Sequence, residues 1–339
     1  MEKFSLKIEH TWRLCMFSSA NVLLILMLST AQPVKAAVDE QCLIELIMNA
    51  DPTTSVGEIR QQCGQQQPNT LASDKSLSAA STQTNRAHRL LLTPHKANYL
   101  LPLTYNSNPR GGAFDVRDDE LDHEEIKYQF SVKVPIATGI SDFDADIYFA
   151  YTQLSLWQAY NTEVSSPFRE TNYEPEFFIT AENDQPLLGF TNISNSFGLV
   201  HQSNGQSGNL SRSWNRFYVE TMFNRGDFTW SIKPWWRIPE SDKDSPADVG
   251  GDDNPNIEHF MGYFEWSGLY QWRDHNFSLL LRNNLRSDNR GAFQLGWSFP
   301  VSKHIRLYAQ YFNGYGESLI NFDQNINRLG FGFELTNWQ

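Results

Sequence analysis

Residues Arg328-Leu329-Gly330-Phe331-Gly332-Phe333-Glu334-Leu335 alternate without a break. An extended chain sends successive side chains to opposite faces. Leu329, Phe331, Phe333 and Leu335 therefore share one apolar face, while Arg328, Gly330, Gly332 and Glu334 share the other. The same pattern recurs upstream. Phe293, Leu295, Trp297 and Phe299 alternate with Gln294, Gly296 and Ser298; Ile126, Tyr128, Phe130, Val132 and Val134 alternate with Lys127, Gln129, Ser131 and Lys133. In a soluble sandwich such an apolar face points inward, and in a membrane barrel it points out to lipid. Segment length favours the barrel, because a tilted spanning strand needs about ten residues. Arg, Lys, Glu and Gln on the other face suit a hydrated or networked lumen.

Twelve such segments follow one another, near 92–106, 125–135, 146–158, 173–183, 189–203, 212–224, 227–238, 258–272, 275–285, 290–300, 304–313 and 326–337. An even number suits an antiparallel barrel. The expected fold is all-β: a twelve-stranded antiparallel transmembrane β-barrel over 89–339, with an N-terminal periplasmic extension. The longest connection, 239–257, is acidic and rich in Pro and Gly, which marks a loop. The last strand closes with the aromatic Trp338.

Composition agrees. The 339 residues are 40% hydrophobic, yet 14% are aromatic. A barrel is apolar only at alternate positions and carries aromatic girdles, which gives this combination. A net charge of −12 argues against nucleic acid as a partner. Lys3, Lys7 and Arg13 precede an apolar stretch from Val22 to Leu28, and Val34-Lys35-Ala36 offers a small-x-small site, so 1–36 reads as a signal peptide. As a membrane anchor that stretch is too short. In the extension and linker, 37–88, Cys42 and Cys63 form an even pair in an oxidising compartment, where a disulfide is expected. Two free thiols are the alternative. Residues 64–88 are rich in Gln, Ser, Thr, Asn and Ala and read as a linker.

A barrel alone does not reveal a function. The informative block is 197–217, FGLVHQSNGQSGNLSRSWNRF. His201 and Ser203 share a face with Phe197 and Leu199, so they continue an apolar, lipid-facing row. Asn215 shares a face with Phe217, Val219 and Phe223 on the next strand and can lie across from His201. A Ser hydroxyl becomes a nucleophile once an imidazole takes its proton. The imidazole needs a partner to fix its orientation. Asn215 supplies one without placing a second charge beside lipid, where charge is expensive. A His-x-Ser pair alone is a weak signal; its apolar setting and the converging Asn strengthen it.

The runs SSPFRETNYEP (165–175), HQSNGQS (201–207), SRSWNRFY (211–218), DDNP (252–255), FMGY (260–263) and RLYAQYFNGYGESLI (306–320) resemble outer-membrane phospholipase A of Gram-negative bacteria. The resemblance covers most of 90–339. It implies a twelve-stranded barrel in the outer membrane. The implied activity is calcium-dependent hydrolysis of sn-1 and sn-2 esters of phospholipids and lysophospholipids, switched on by homodimerisation. Ser203 would be the nucleophile, His201 the base and Asn215 its orienting partner. The Gly205 N–H would serve the oxyanion hole, with a calcium-bound water as second donor. The Ca2+ positions would be the Ser165 carbonyl from the partner chain, the Gln206 carbonyl and Ser211, with Asp253 in a weaker site. Where the family can carry an Asp this chain has Gly208, which bears on calcium affinity. Gln153 matches a polar residue of the family's dimer interface, although from sequence it fits the lumen equally. Arg169, Glu170, Arg212 and Arg216 are expected to form loop or lumen ion pairs. Three alternatives stand beside this reading: a porin with an open charged lumen, a hydrolase of another lipid such as lipid A, and an inactive homologue.

Overall fold

A computed structural model describes residues 92–109, 120–140, 144–245, 248 and 250–335. The signal sequence, the Cys42–Cys63 pair and Trp338 lie outside the described residues. Twelve antiparallel strands close into a barrel: β2 (Tyr99–Asn106), β3 (Glu124–Ile140), β4 (Ala145–Trp157), β5 (Phe168–Leu187), β6 (Phe190–Ser203), β7 (Ser213–Arg225), β8 (Phe228–Ile238), β9 (Phe264–Trp272), β10 (His275–Asn283), β11 (Gly291–Pro300), β12 (Ile305–Gly314) and β13 (Ile326–Leu335). Each strand pairs with its neighbours in sequence, and β13 pairs with β2 to close the ring. A two-residue strand, β1 (Thr93–Pro94), pairs with Lys133 and Val132 of β3. It prolongs β2 across a break at 95–98, just beyond Pro94, which has no N–H to donate.

The alternation read from the sequence sets the outer face. Leu329, Phe331, Phe333 and Leu335 are each more than 40% exposed, whereas Arg328 is 2% exposed. A band of exposed Leu, Phe and Trp side chains around a closed barrel is a surface for lipid, and closure leaves no unpaired edge within it.

One expectation is corrected. Residues 258–263 are not the start of a strand. Ile257–Met261 form a short helix that follows the Asn254-Pro255 turn, and β9 begins only at Phe264. Ile257 and Met261 are buried against Trp214, Trp235, Leu319 and Phe322. The β12–β13 connection also turns inward, with Leu319, Ile320, Asn321 and Phe322 all buried. The Leu319 and Ile320 backbone N–H groups donate to Asn172 (2.9 Å) and Glu170 (3.1 Å).

Most buried charges around this plug are paired. Arg169 grips both oxygens of Glu125 (2.5 and 3.1 Å), and Arg328 binds Glu317 through Nε (2.9 Å). Arg328 Nη2 also sits 2.7 Å from Glu125, as an ion pair outside hydrogen-bond geometry. Lys127 reaches Glu317 (2.9 Å) and Gln310 (2.7 Å). Arg216 stacks on Trp214 at 3.8 Å, with Glu174 at the same distance. Arg169 and Arg216 thus form the expected lumen pairs. Arg212 does not: its guanidinium donates to the carbonyls of Asn209 and Ser211. Nor does Glu170 form the expected pair among the described residues: it takes hydrogen bonds from Asn172, Asn204 and the Ile320 backbone.

The barrel's two ends differ. Two-residue turns, 188–189, 226–227 and 273–274, close one end, while 158–167, 204–212, 239–263 and 315–325 lie at the other. Outer-membrane barrels keep short turns on the periplasmic side and long connections outside. The residues singled out above cluster at the long-connection end.

Candidate active site

β6 and β7 run antiparallel, with His201 directly opposite Asn215 and Ser203 opposite Ser213. Side chains opposed on one face of a sheet stand close enough to touch. His201 Nδ1 and Asn215 Oδ1 are 2.8 Å apart. Asn215 Nδ2 in turn donates to Glu240 Oε1 at 3.1 Å. An ionised carboxylate only accepts, so it engages the Asn215 NH2 and leaves Oδ1 for the imidazole. Oδ1 also only accepts. His201 must then carry its proton on Nδ1, with the Nε2 lone pair open.

Ser203 stands two residues from His201 on the same outer face, half-buried and opposite Tyr173 of β5. The wall beside them is apolar. Phe197 (48% exposed) and Leu199 (51%) continue the row, and Phe217 stacks on Trp236 with centroids 5.2 Å apart. Phe223 is the exception on its face, covered by Trp230 in a 4.5 Å stack.

The connection 204–212 is held by Asn204. Its buried side chain accepts from the Arg212 N–H (2.9 Å) and donates to the Leu210 carbonyl (2.9 Å). Gly205 has a φ of +65°, a region that glycine enters without steric cost. A Cβ there would lie 3.1 Å from the Tyr173 ring.

Ser211 and Ser213 both donate to Asp253 Oδ2, at 2.8 and 3.0 Å. Lys243 pairs with the other oxygen. Burial pushes the Asp253 carboxyl up, but the hydrogen bonds from Lys243, Ser211 and Ser213 outweigh it and hold the group below its usual range. Ser211, Lys243 and Asp253 line a cavity of about 280 Å³ together with Gly208, Arg212 and Asp252. Ser211 and Asp253 are thus brought together. Gln206 is exposed in the same connection, and Ser165 is exposed in the separate β4–β5 connection with a left-handed φ of +62°. Among the described residues no three His, Cys, Asp or Glu side chains converge, so a cation here would rely on hydroxyl, carbonyl and carboxylate oxygens. That donor set fits a hard ion such as calcium, and the ammonium already on Asp253 shows that this carboxylate accommodates a cation.

Gln153 lies on the outer face. It is opposite Phe130 of β3 and Tyr173 of β5, and its amide joins Tyr151 and Ser155 at 3.3 Å each. The lumen alternative for Gln153 is therefore excluded. Two residues of this end escaped the sequence reading: Lys243, inside an acidic loop, and Glu240. The signal for Glu240 was its parity, two beyond Ile238 and four beyond Trp236.

Comparison with known proteins gives a consistent result. The family model for phospholipase A1 matches residues 75–335. Phospholipase A1 of Proteus vulgaris is 39% identical over 246 residues, covering 72% of this chain and 81% of that protein. Phospholipase A1 of Escherichia coli K12 is 38% identical with the same coverage. The solved outer membrane phospholipase A of Escherichia coli superposes with a TM-score of 0.67 at 37% identity, covering 73% of this chain and all but 1% of that one. The Salmonella typhi outer membrane phospholipase, a dimer with bound calcium, superposes with a TM-score of 0.67 at 36% identity, covering 73% of this chain and 93% of that chain.

Proposed function

The chain belongs to the phospholipase A1 family and is an outer-membrane phospholipase, and we propose that Ser203, His201 and Asn215 carry its chemistry. The observation that supports this assignment is the 2.8 Å contact between His201 Nδ1 and Asn215 Oδ1, two residues from Ser203 on a lipid-facing wall. A nucleophile placed there meets an ester that arrives from the bilayer. An open-pore reading has less support, because a plug and buried ion pairs occupy the lumen.

In the proposed reaction His201 Nε2 takes the Ser203 proton as Oγ attacks the ester carbonyl. The Gly205 N–H stabilises the resulting oxyanion. His201 then returns the proton to the departing lysolipid alkoxide, and water hydrolyses the acyl-enzyme with His201 again as base. Ser211, the Gln206 carbonyl and the carbonyl of Ser165 of the partner subunit would hold calcium, with Asp253 in a second, weaker site. Bound calcium would supply positive charge to stabilise the developing oxyanion. The proposal extends to sn-1 and sn-2 esters of phospholipids and lysophospholipids, to calcium dependence and to activation by homodimerisation. An outer leaflet poor in phospholipid would then keep activity low until the membrane is damaged.

Fatty-acid release from phospholipid–detergent micelles tests this, comparing wild type with Ser203→Ala, each with calcium and with chelator. The expected result is release only from wild type with calcium, falling as the protein is diluted. Release that survives Ser203→Ala would place the nucleophile elsewhere.

A further inference from the structure

We infer that Glu240 is a positioning residue for the reaction, acting on His201 through Asn215. The inference rests on the assignment of Ser203, His201 and Asn215 given above.

Serine hydrolases usually set a carboxylate directly on the base, where it fixes the imidazole and stabilises the imidazolium that forms. In this wall the position next to His201 holds an amide. Within the strand band a carboxylate would face lipid, where a charge is costly. Glu240 resolves that conflict. It lies beyond the end of β8, on the outer-face parity of Trp236 and Ile238, and is half-buried. From there it accepts from Asn215 Nδ2 at 3.1 Å. The carboxylate is displaced one hydrogen bond outward, past the apolar band and towards water.

Two consequences follow from chemistry alone. An amide unrestrained on its far side can rotate and offer NH2 to the imidazole, a donor facing a donor. Glu240 forbids that rotation because it cannot donate. Its negative charge, relayed through the polarised amide, also favours the imidazolium formed when Ser203 gives up its proton. On the outer face the other titratable group packed near His201 is Tyr173 of β5, opposite Ser203. Glu174, Glu176 and Arg216 belong to the lumen, where they pair with one another and with Lys96, Lys233 and His95. Arg237 is engaged by Asp252.

The test uses full-length protein in mixed micelles with calcium and compares wild type, Glu240→Gln, Glu240→Ala and Ser203→Ala. Glu240→Ala should lower kcat roughly ten- to hundred-fold, the loss expected for a hydrogen bond to a charged group, with KM little changed. Glu240→Gln keeps an acceptor for Asn215 but no charge, so it should recover part of kcat. Its kcat/KM profile should show the acid limb moved to lower pH, because without the carboxylate the imidazole is harder to protonate. Wild-type kcat and an unmoved profile in both variants, with Ser203→Ala inactive, would overturn the inference. So would equal losses in both with an unmoved profile, which would reduce Glu240 to a structural contact. Activity in Ser203→Ala would instead reject the underlying site. Should Glu240→Ala fail to fold, the near-isosteric Gln variant still decides the matter through its pH profile.

Discussion

The lumen and the outer wall of this barrel both contain polar residues, but under opposite rules. Inside, Glu125, Arg169, Lys127, Glu317 and Arg328 are buried and bind one another in a network that crosses three strands and the plug. Each charge there answers another, as burial demands. Outside, His201, Ser203 and Asn215 interrupt a wall of Phe and Leu that needs no polar group at all. Their partners run in a single file, imidazole to amide to carboxylate, and end at the loop. A polar group that satisfies a neighbour stabilises the fold. A polar group set where the solvent is lipid needs another reason to be there, and the reason proposed here is an ester bond that arrives from the bilayer.

That contrast can be broken from either side. The largest effect is expected on the wall. His201→Ala should reduce fatty-acid release about 10⁴-fold or more, as loss of a base in such a unit does, while its urea unfolding midpoint in detergent stays at the wild-type value. A large fall in stability would mean that His201 belongs to the structure. In the lumen the order reverses. Glu125→Ala leaves Arg169 and Arg328 buried without their shared partner and should cost about 3–5 kcal/mol of stability, read by the same titration, with kcat per folded molecule unchanged. The smallest effect belongs to the cavity formed by the connections 204–212 and 239–263. Lys243→Met frees Asp253, so calcium should bind about two- to tenfold more tightly, measured by titration calorimetry. Unchanged affinity would remove Asp253 from the weaker calcium site.

Much of this was legible from alternation alone. Each of the twelve strands overlaps a segment that the period-two pattern marked, because each spanning strand must be apolar on one side whatever its neighbours do. The His201–Asn215 contact was legible for the same reason: parity fixes the face, and a short connection fixes the register. The plug was not. Leu319, Ile320 and Phe322 carry no periodicity, and their burial depends on which loop fills the lumen, a tertiary choice. The helical turn at Ile257–Met261 was read as strand because one turn is too short to show a 3.6-residue period. Glu240 was hidden in a loop whose acidity reads as solvation. Its role depends on the reach of one side chain back to β7.

Whether Ser203 is an activated nucleophile exposed to lipid is decided by treating the protein with a long-chain alkyl sulfonyl fluoride and mapping the adduct by mass spectrometry. The sulfur accepts the serine oxygen, fluoride leaves, and the hydroxyl proton passes to His201. A single sulfonate ester should form, on Ser203, with activity lost in proportion and no adduct in His201→Ala. Loss of activity with the adduct on another residue, or full labelling of Ser203 without loss of activity, would rule out Ser203 as the nucleophile.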